Sequence, residues 1–140
     1  MSKKCPNKNG LFWGESMKQY VDGYVLAVNK SKLREYKKMA KLGCKVWMKH
    51  GALSYVEAVG DDLGSAKKWG CWPFPKMTKA KRNEVVIFAF IVYKSKAHRN
   101  QVNAQVMKDP LMNVHKDKPM PFDMKRMAVG GFKTIVDKRR

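Results

Sequence analysis

Two carboxylates stand where strand-like alternation turns them toward bulky neighbours. Asp22 alternates with Tyr20 and Tyr24, and Glu57 shares its parity with Leu53, Tyr55 and Val59, so each occupies one face of a period-two segment. A carboxylate in such an apolar cleft can act as a general acid or base, or grip a small molecule. It can equally be neutralised as an ion pair by Lys125 or Arg126, the two bases inside MPFDMKRMAVGGF, residues 120–132, which is the commoner fate of such acids. His50 directly precedes Gly51, where a helix would end, and a cation there complements the helix dipole. Capping accounts for it more simply than catalysis does. The candidates for bordering a ligand cleft are therefore Asp22, Glu57, His50 and Arg126.

Other chemistries find less support. Cys5, Cys44 and Cys71 are widely spaced, with no C-x-x-C pair, and His98 and His115 stand apart from any acid cluster, so no metal and no cofactor is expected. No G-x-S-x-G element surrounds a serine, and no cysteine has a context that would activate it. Gly130-Gly131 suggests a phosphate loop only until the following residues are read: no helix start follows them, as such a loop requires. The pair reads better as a bulge in a strand.

A second constellation points toward polyanions. The chain of 140 residues carries 30 Lys and Arg against 11 Asp and Glu, a net charge of +19, spread over both halves rather than held in a tail. Arg34, Lys38, Lys41, Lys45 and Lys49 recur at helical spacing as an all-cationic stripe. Residues 67–82 interleave Trp69, Trp72 and Phe74 with six basic side chains. Aromatics that stack bases beside cations that hold phosphates are what single-stranded nucleic-acid binding needs. The alternative is a lid whose rings pack on the domain while its lysines stay solvated. No signature of a known RNA-binding module accompanies the pattern.

The elements that must position these residues can be read in order. YVDGYVLAV, residues 20–28, is a strand, with Gly23 marking a bulge or close approach. A helix capped by Ser31 runs to about His50, placing Leu33, Tyr36, Ala40, Cys44 and Trp47 on a core-facing stripe. Residues 52–60 form a second strand and residues 60–84 a long connection. VVIFAFIVY, residues 85–93, is a third strand, apolar on both faces. Ser95 caps a second helix that Asp109-Pro110 ends, and residues 125–136 make a fourth strand.

This order is βαββαβ, an α+β, ferredoxin-like pattern: a four-stranded antiparallel sheet with two helices on one face. Because the third strand is apolar on both sides, the face without helices needs a cover, and a second copy of the chain supplies one economically. Two sheets packed face to face would close a dimeric α/β barrel. Residues 1–16 read as a loose extension ahead of one domain over 17–140. The N-terminus lacks an apolar signal core, and residues 85–93 are too short to span a bilayer, so a cytoplasmic protein with no membrane partner is expected.

YVDGYVLAV, HGALSYVEAVGDD, EVVIF, SKAHRN, DPLM and MPFDMKRMAVGGFKTIVD, in that order, resemble the YbaA-like bacterial family of unknown function. The resemblance covers residues 17–137. It implies a dimeric α/β barrel of ferredoxin-like topology, a class able to hold a small molecule between sheet and helices, but no defined chemistry, so enzymatic activity stays open. His50 is the one histidine in a matching block that the cleft argument uses. Three classes follow: a ligand-binding or cofactor-free enzymatic homodimer, a nucleic-acid binder, and a structural dimer.

Overall fold

The computed structural model describes residues 18–140; the extension expected over residues 1–16 lies outside them. The elements are β1 (Tyr20–Asn29), α1 (Leu33–Lys49), β2 (Ser54–Val59), the single turn α2 (Phe74–Met77), β3 (Glu84–Tyr93), α3 (Lys96–Lys108) and β4 (Ala128–Lys133). The strands form one antiparallel four-stranded sheet in the order β2-β3-β1-β4. The fold is α+β.

Alternation along the strands sorts side chains onto two faces. On one, Leu26 and Val28 of β1 and Ile87, Ala89, Ile91 and Tyr93 of β3 are buried beneath Tyr36 and Val46 of α1 and Val102 and Val106 of α3. Both longer helices therefore pack on the same side. The other face gathers Gly23, Val25, Val56, Phe88, Phe90 and Phe132 through cross-strand pairing. The chain supplies part of its cover, since Phe74 of α2 meets Phe88 edge-on with ring centroids 6.1 Å apart. Phe88 is nevertheless 46% exposed and Phe132 62%.

Helix ends follow local chemistry. Ser95 caps α3, its hydroxyl accepting from the His98 amide at 3.1 Å, and α3 stops at Asp109 before Pro110. Gly51 adopts a φ of +110° beyond α1, a conformation that glycine enters without a Cβ penalty. The start of α1 differs from expectation. Asn29, not Ser31, provides the cap, accepting from the Ser31 amide at 2.9 Å and opening a 3-10 turn over Lys30–Lys32 that leads into α1. Asn at the end of a strand competes well for this role because its short side chain reaches the amide two residues on.

The expected bulge at Gly130-Gly131 is absent: β4 pairs residue for residue with β1 from Tyr20↔Lys133 to Val25↔Ala128. The glycines serve close approach instead. A Cβ at Gly131 would overlap the Tyr20 ring, and one at Gly23 would lie 3.3 Å from the Phe132 ring. The fourth strand is also shorter than expected, because Asp123 accepts from the Lys125 amide at 3.0 Å and winds Met124–Arg126 into a 3-10 turn.

Candidate functional site

The core between the sheet and α1 is incomplete. A cavity of about 440 Å³ lies there, walled by Tyr24, Leu26, Ala89 and Ile91 of the central strands, Tyr55 and Glu57 of β2, and Tyr36, Ala40 and Trp47 of α1. The segment after α3 closes it with Met112, Met120 and Phe122, leaving His115, Lys116 and Lys118 at its edge.

Its polar centre is Glu57. The Tyr36 hydroxyl donates to Glu57 Oε2 at 2.5 Å and the Tyr55 hydroxyl to Oε1 at 3.0 Å. Tyr55 reaches this position because two residues along β2 return to the same face, while Tyr36 descends from α1 and is braced edge-on by Phe122 at 5.9 Å. Gly43, in the middle of α1, lies directly above: a Cβ there would stand 2.7 Å from the Tyr55 hydroxyl. Burial, reinforced by the Glu57 carboxylate, pushes both hydroxyls well above the ordinary tyrosine range. Burial and then Asp22 raise Tyr24 to about 12. These phenols keep their protons and remain donors. The trio also borders a more open groove of about 420 Å³ between α1 and β2, so Glu57 is approached from two sides.

The other cleft candidates stand elsewhere. Asp22 is buried on β1 and faces Arg99 of α3, with Nε 3.8 Å from Oδ1; its partner is neither Lys125 nor Arg126. Arg99 in turn lies over the Tyr20 ring at 5.0 Å, the same ring for which Gly131 makes room. His50 does end α1, but its Nε2 lies 2.7 Å from Asp109 Oδ2, which Lys49 also contacts at 3.0 Å. The Leu111 amide first, then His50 and Lys49, hold the Asp109 carboxyl well below the usual carboxylate range. Arg126 grips Glu84 with two hydrogen bonds, of 2.8 and 2.6 Å. Asp22, Glu57, His50 and Arg126 therefore do not converge; of the four, Glu57 alone borders the cavity.

Arg34, Lys38, Lys41, Lys45 and Lys49 are exposed along α1. Trp69 and Trp72 are 79% and 69% exposed, whereas Phe74 of the same connection packs against Phe88 and Thr78 is buried. Among the described residues, no group of three His, Cys, Asp or Glu side chains gathers as a metal site, and no helix is long and apolar enough to cross a membrane.

Two contributors to the site escape a strand-by-strand reading. Tyr36 belongs to a helical stripe that reads as ordinary core. Gly43 gives a signal only as an unexplained glycine inside a helix, where it costs roughly 1 kcal/mol relative to alanine. Segment 112–122 offers no period at all.

An antiparallel α+β sheet with a walled cavity and a tyrosine-bound carboxylate defines the class of molecule. Residues 19–124 match the family described as "Protein of unknown function (DUF1428)", and the chain belongs to that family. It is 40% identical over 119 residues to the uncharacterized protein YbaA of Escherichia coli (strain K12), an overlap spanning 85% of this chain and 98% of that one. The protein of the same description from Shigella flexneri matches to the same extent. Among solved structures, the de novo designed protein Foldit4 aligns with a TM-score of 0.38 at 14% identity, over 87% of this chain and 99% of that chain. That score is too low to bear on fold or function.

Proposed function

We propose that this protein binds a small molecule in the cavity between its sheet and α1, as a cytoplasmic homodimer of ferredoxin-like topology. The observation that carries the reading is a half-buried carboxylate, Glu57, held by two tyrosine hydroxyls at the wall of a largely apolar space of about 440 Å³. Ligand sites commonly occupy roughly 300–1,000 Å³ and combine apolar walls with a few placed polar groups. A fully packed core would have filled the space with side chains, because interiors approach crystal density.

The strand order β2-β3-β1-β4 supports the ferredoxin-like topology, with α2 an insertion in the β2–β3 connection. The apolar sheet face that Phe74 covers only in part supports the second subunit. The cytoplasmic reading rests on the sequence, whose three cysteines are odd in number and widely spaced with no C-x-x-C pair.

Screening a library of apolar fragments against amide and indole chemical shifts tests the binding. The expected result is a set of fragments that move Tyr24, Trp47, Tyr55 and Phe122 together. A library that leaves those four resonances in place would overturn the reading.

A further inference from the structure

The hydrogen-bond arithmetic of the Glu57 cluster narrows what the cavity can hold, if the cavity holds a ligand as proposed above. A tyrosine hydroxyl has one proton and an ionised carboxylate none. Tyr36 donates to Oε2 and Tyr55 to Oε1, so both available protons are already committed to Glu57. What the trio can still offer is lone pairs: those left on the carboxylate and those on the two phenolic oxygens. A head group that only accepts hydrogen bonds, such as a carboxylate, finds no donor in this trio and meets a like charge.

Among the described residues the Glu57 carboxylate has no ion-pair partner, the cationic side chains of its groove being the exposed Lys37 and Lys41. Ion pairs among these residues engage Asp22, Glu84, Asp109, Asp123 and Asp137, and none reaches Glu57. A half-buried carboxylate without an ion-pair partner attracts a cation that settles beside it more strongly than an exposed one would. The surrounding wall suits such a ligand. Tyr24, Tyr36, Trp47, Tyr55 and Phe122 all border the cavity, and aromatic ring faces attract ammonium groups.

We propose that the cavity takes an apolar amine, binding as its alkyl- or arylammonium form, with the ammonium donating to Glu57 and the phenolic oxygens and the hydrocarbon lying between the sheet and α1. Lys116 and Lys118 at the edge are exposed, so their repulsion of an incoming cation is reduced by water and salt. The opposite arrangement, an anionic amphiphile with its acid group at those lysines and its tail inside, is the competing outcome.

Three ligands of eight carbons each decide between them: octylammonium, octanol and octanoate, each titrated calorimetrically into the 140-residue chain at neutral pH. Octylammonium should bind at least about tenfold more tightly than octanol, with octanoate weakest, the difference corresponding to one charge-assisted hydrogen bond. Glu57→Gln should weaken octylammonium by about tenfold while moving octanol by no more than about threefold. Tyr55→Phe frees a lone pair on Glu57 without removing its charge, and should retain octylammonium. Equal or tighter binding of octanoate, or an octylammonium affinity indifferent to Glu57→Gln, would overturn the amine assignment.

Octanol or octanoate binding at least as tightly as octylammonium, with shifts at the four cavity resonances, would leave small-molecule binding standing while the amine assignment fell. If none of the three bound and the fragment library were also silent, both would fall. Should Glu57→Gln fail to fold, as judged by circular dichroism, the ranking of the three head groups on the unaltered protein decides the question alone.

Discussion

At the scale of single residues, Gly43 and Tyr55 depend on each other. Replacing a glycine inside an exposed helix by alanine ordinarily adds up to about 1 kcal/mol of stability. At Gly43 the new Cβ would stand 2.7 Å from the Tyr55 hydroxyl but 3.5 Å from its ring carbon, so the clash involves one oxygen. Moving that oxygen breaks its bond to Glu57, and forced overpacking of this kind costs about 1–3 kcal/mol. Gly43→Ala should therefore destabilise the protein by about 1–2 kcal/mol in urea denaturation, against its helix propensity. In a Tyr55→Phe background the oxygen is gone and most of that cost should vanish. Equal destabilisation in both backgrounds would refute the coupling. Glu57 and Tyr55 were legible from strand alternation, because a period of two leaves no doubt about which residues share a face. The Tyr36 contact was not, since helical spacing marks a residue as inward without saying whether it meets hydrocarbon or a carboxylate.

At the scale of elements, the Glu84–Arg126 pair joins three pieces of chain. Glu84 begins β3 and Arg126 belongs to the turn before β4. Glu84 also accepts from the Lys81 amide at 2.7 Å, and Arg126 donates to the Lys79 carbonyl at 3.2 Å. Arg126 in particular lowers the Glu84 carboxyl from 4.5 to about 2. A carboxyl whose folded value is depressed stabilises the fold above its unfolded value, and that contribution is lost as pH falls through the folded one. The window here runs from about pH 4.5 down to about pH 2. The stability difference between the unaltered protein and Glu84→Gln should shrink steadily across that window. A difference that stayed constant in urea midpoints measured there would refute the linkage. Comparing the two proteins matters because the Asp109 carboxyl, also held low, titrates in both.

Element types were read well where local chemistry decides them. Ser95, Asp109-Pro110 and Gly51 mark helix ends through single hydrogen bonds and backbone preferences. Boundaries failed where two local partners compete, as with Asn29 over Ser31. Gly130-Gly131 misled because a glycine that breaks pairing and one that admits a neighbouring ring look the same in sequence. Tyr20, which explains Gly131, lies more than a hundred residues away.

At the scale of the whole molecule, charge and apolar surface pull in opposite directions. The face bearing Val25, Val56, Phe88, Phe90 and Phe132 presents apolar side chains that would gain from burial, whereas each copy of the chain carries a net charge of +19. Burial of apolar area contributes about 25 cal/mol per Å² and does not depend on charge; repulsion between two cationic subunits does. If the homodimer proposed above forms through this face, salt should tighten it. Over the range from about 0.01 M to about 1 M the Debye length falls from about 30 to about 3 Å, which removes most of the repulsion and leaves the apolar contact. Light scattering at micromolar protein should then show the dimer fraction rising with salt. Phe88→Arg and Phe132→Arg should each shift the protein toward monomer at every salt concentration, because a guanidinium in that contact must be desolvated beside a like charge. Both side chains are substantially exposed in the single chain, so each variant should still fold. A dimer weakened by salt would mean that ion pairs, not this face, hold the subunits. A purely monomeric protein at high salt would leave the face without a second copy, and with it the barrel closure anticipated from the two-sided apolar pattern of β3.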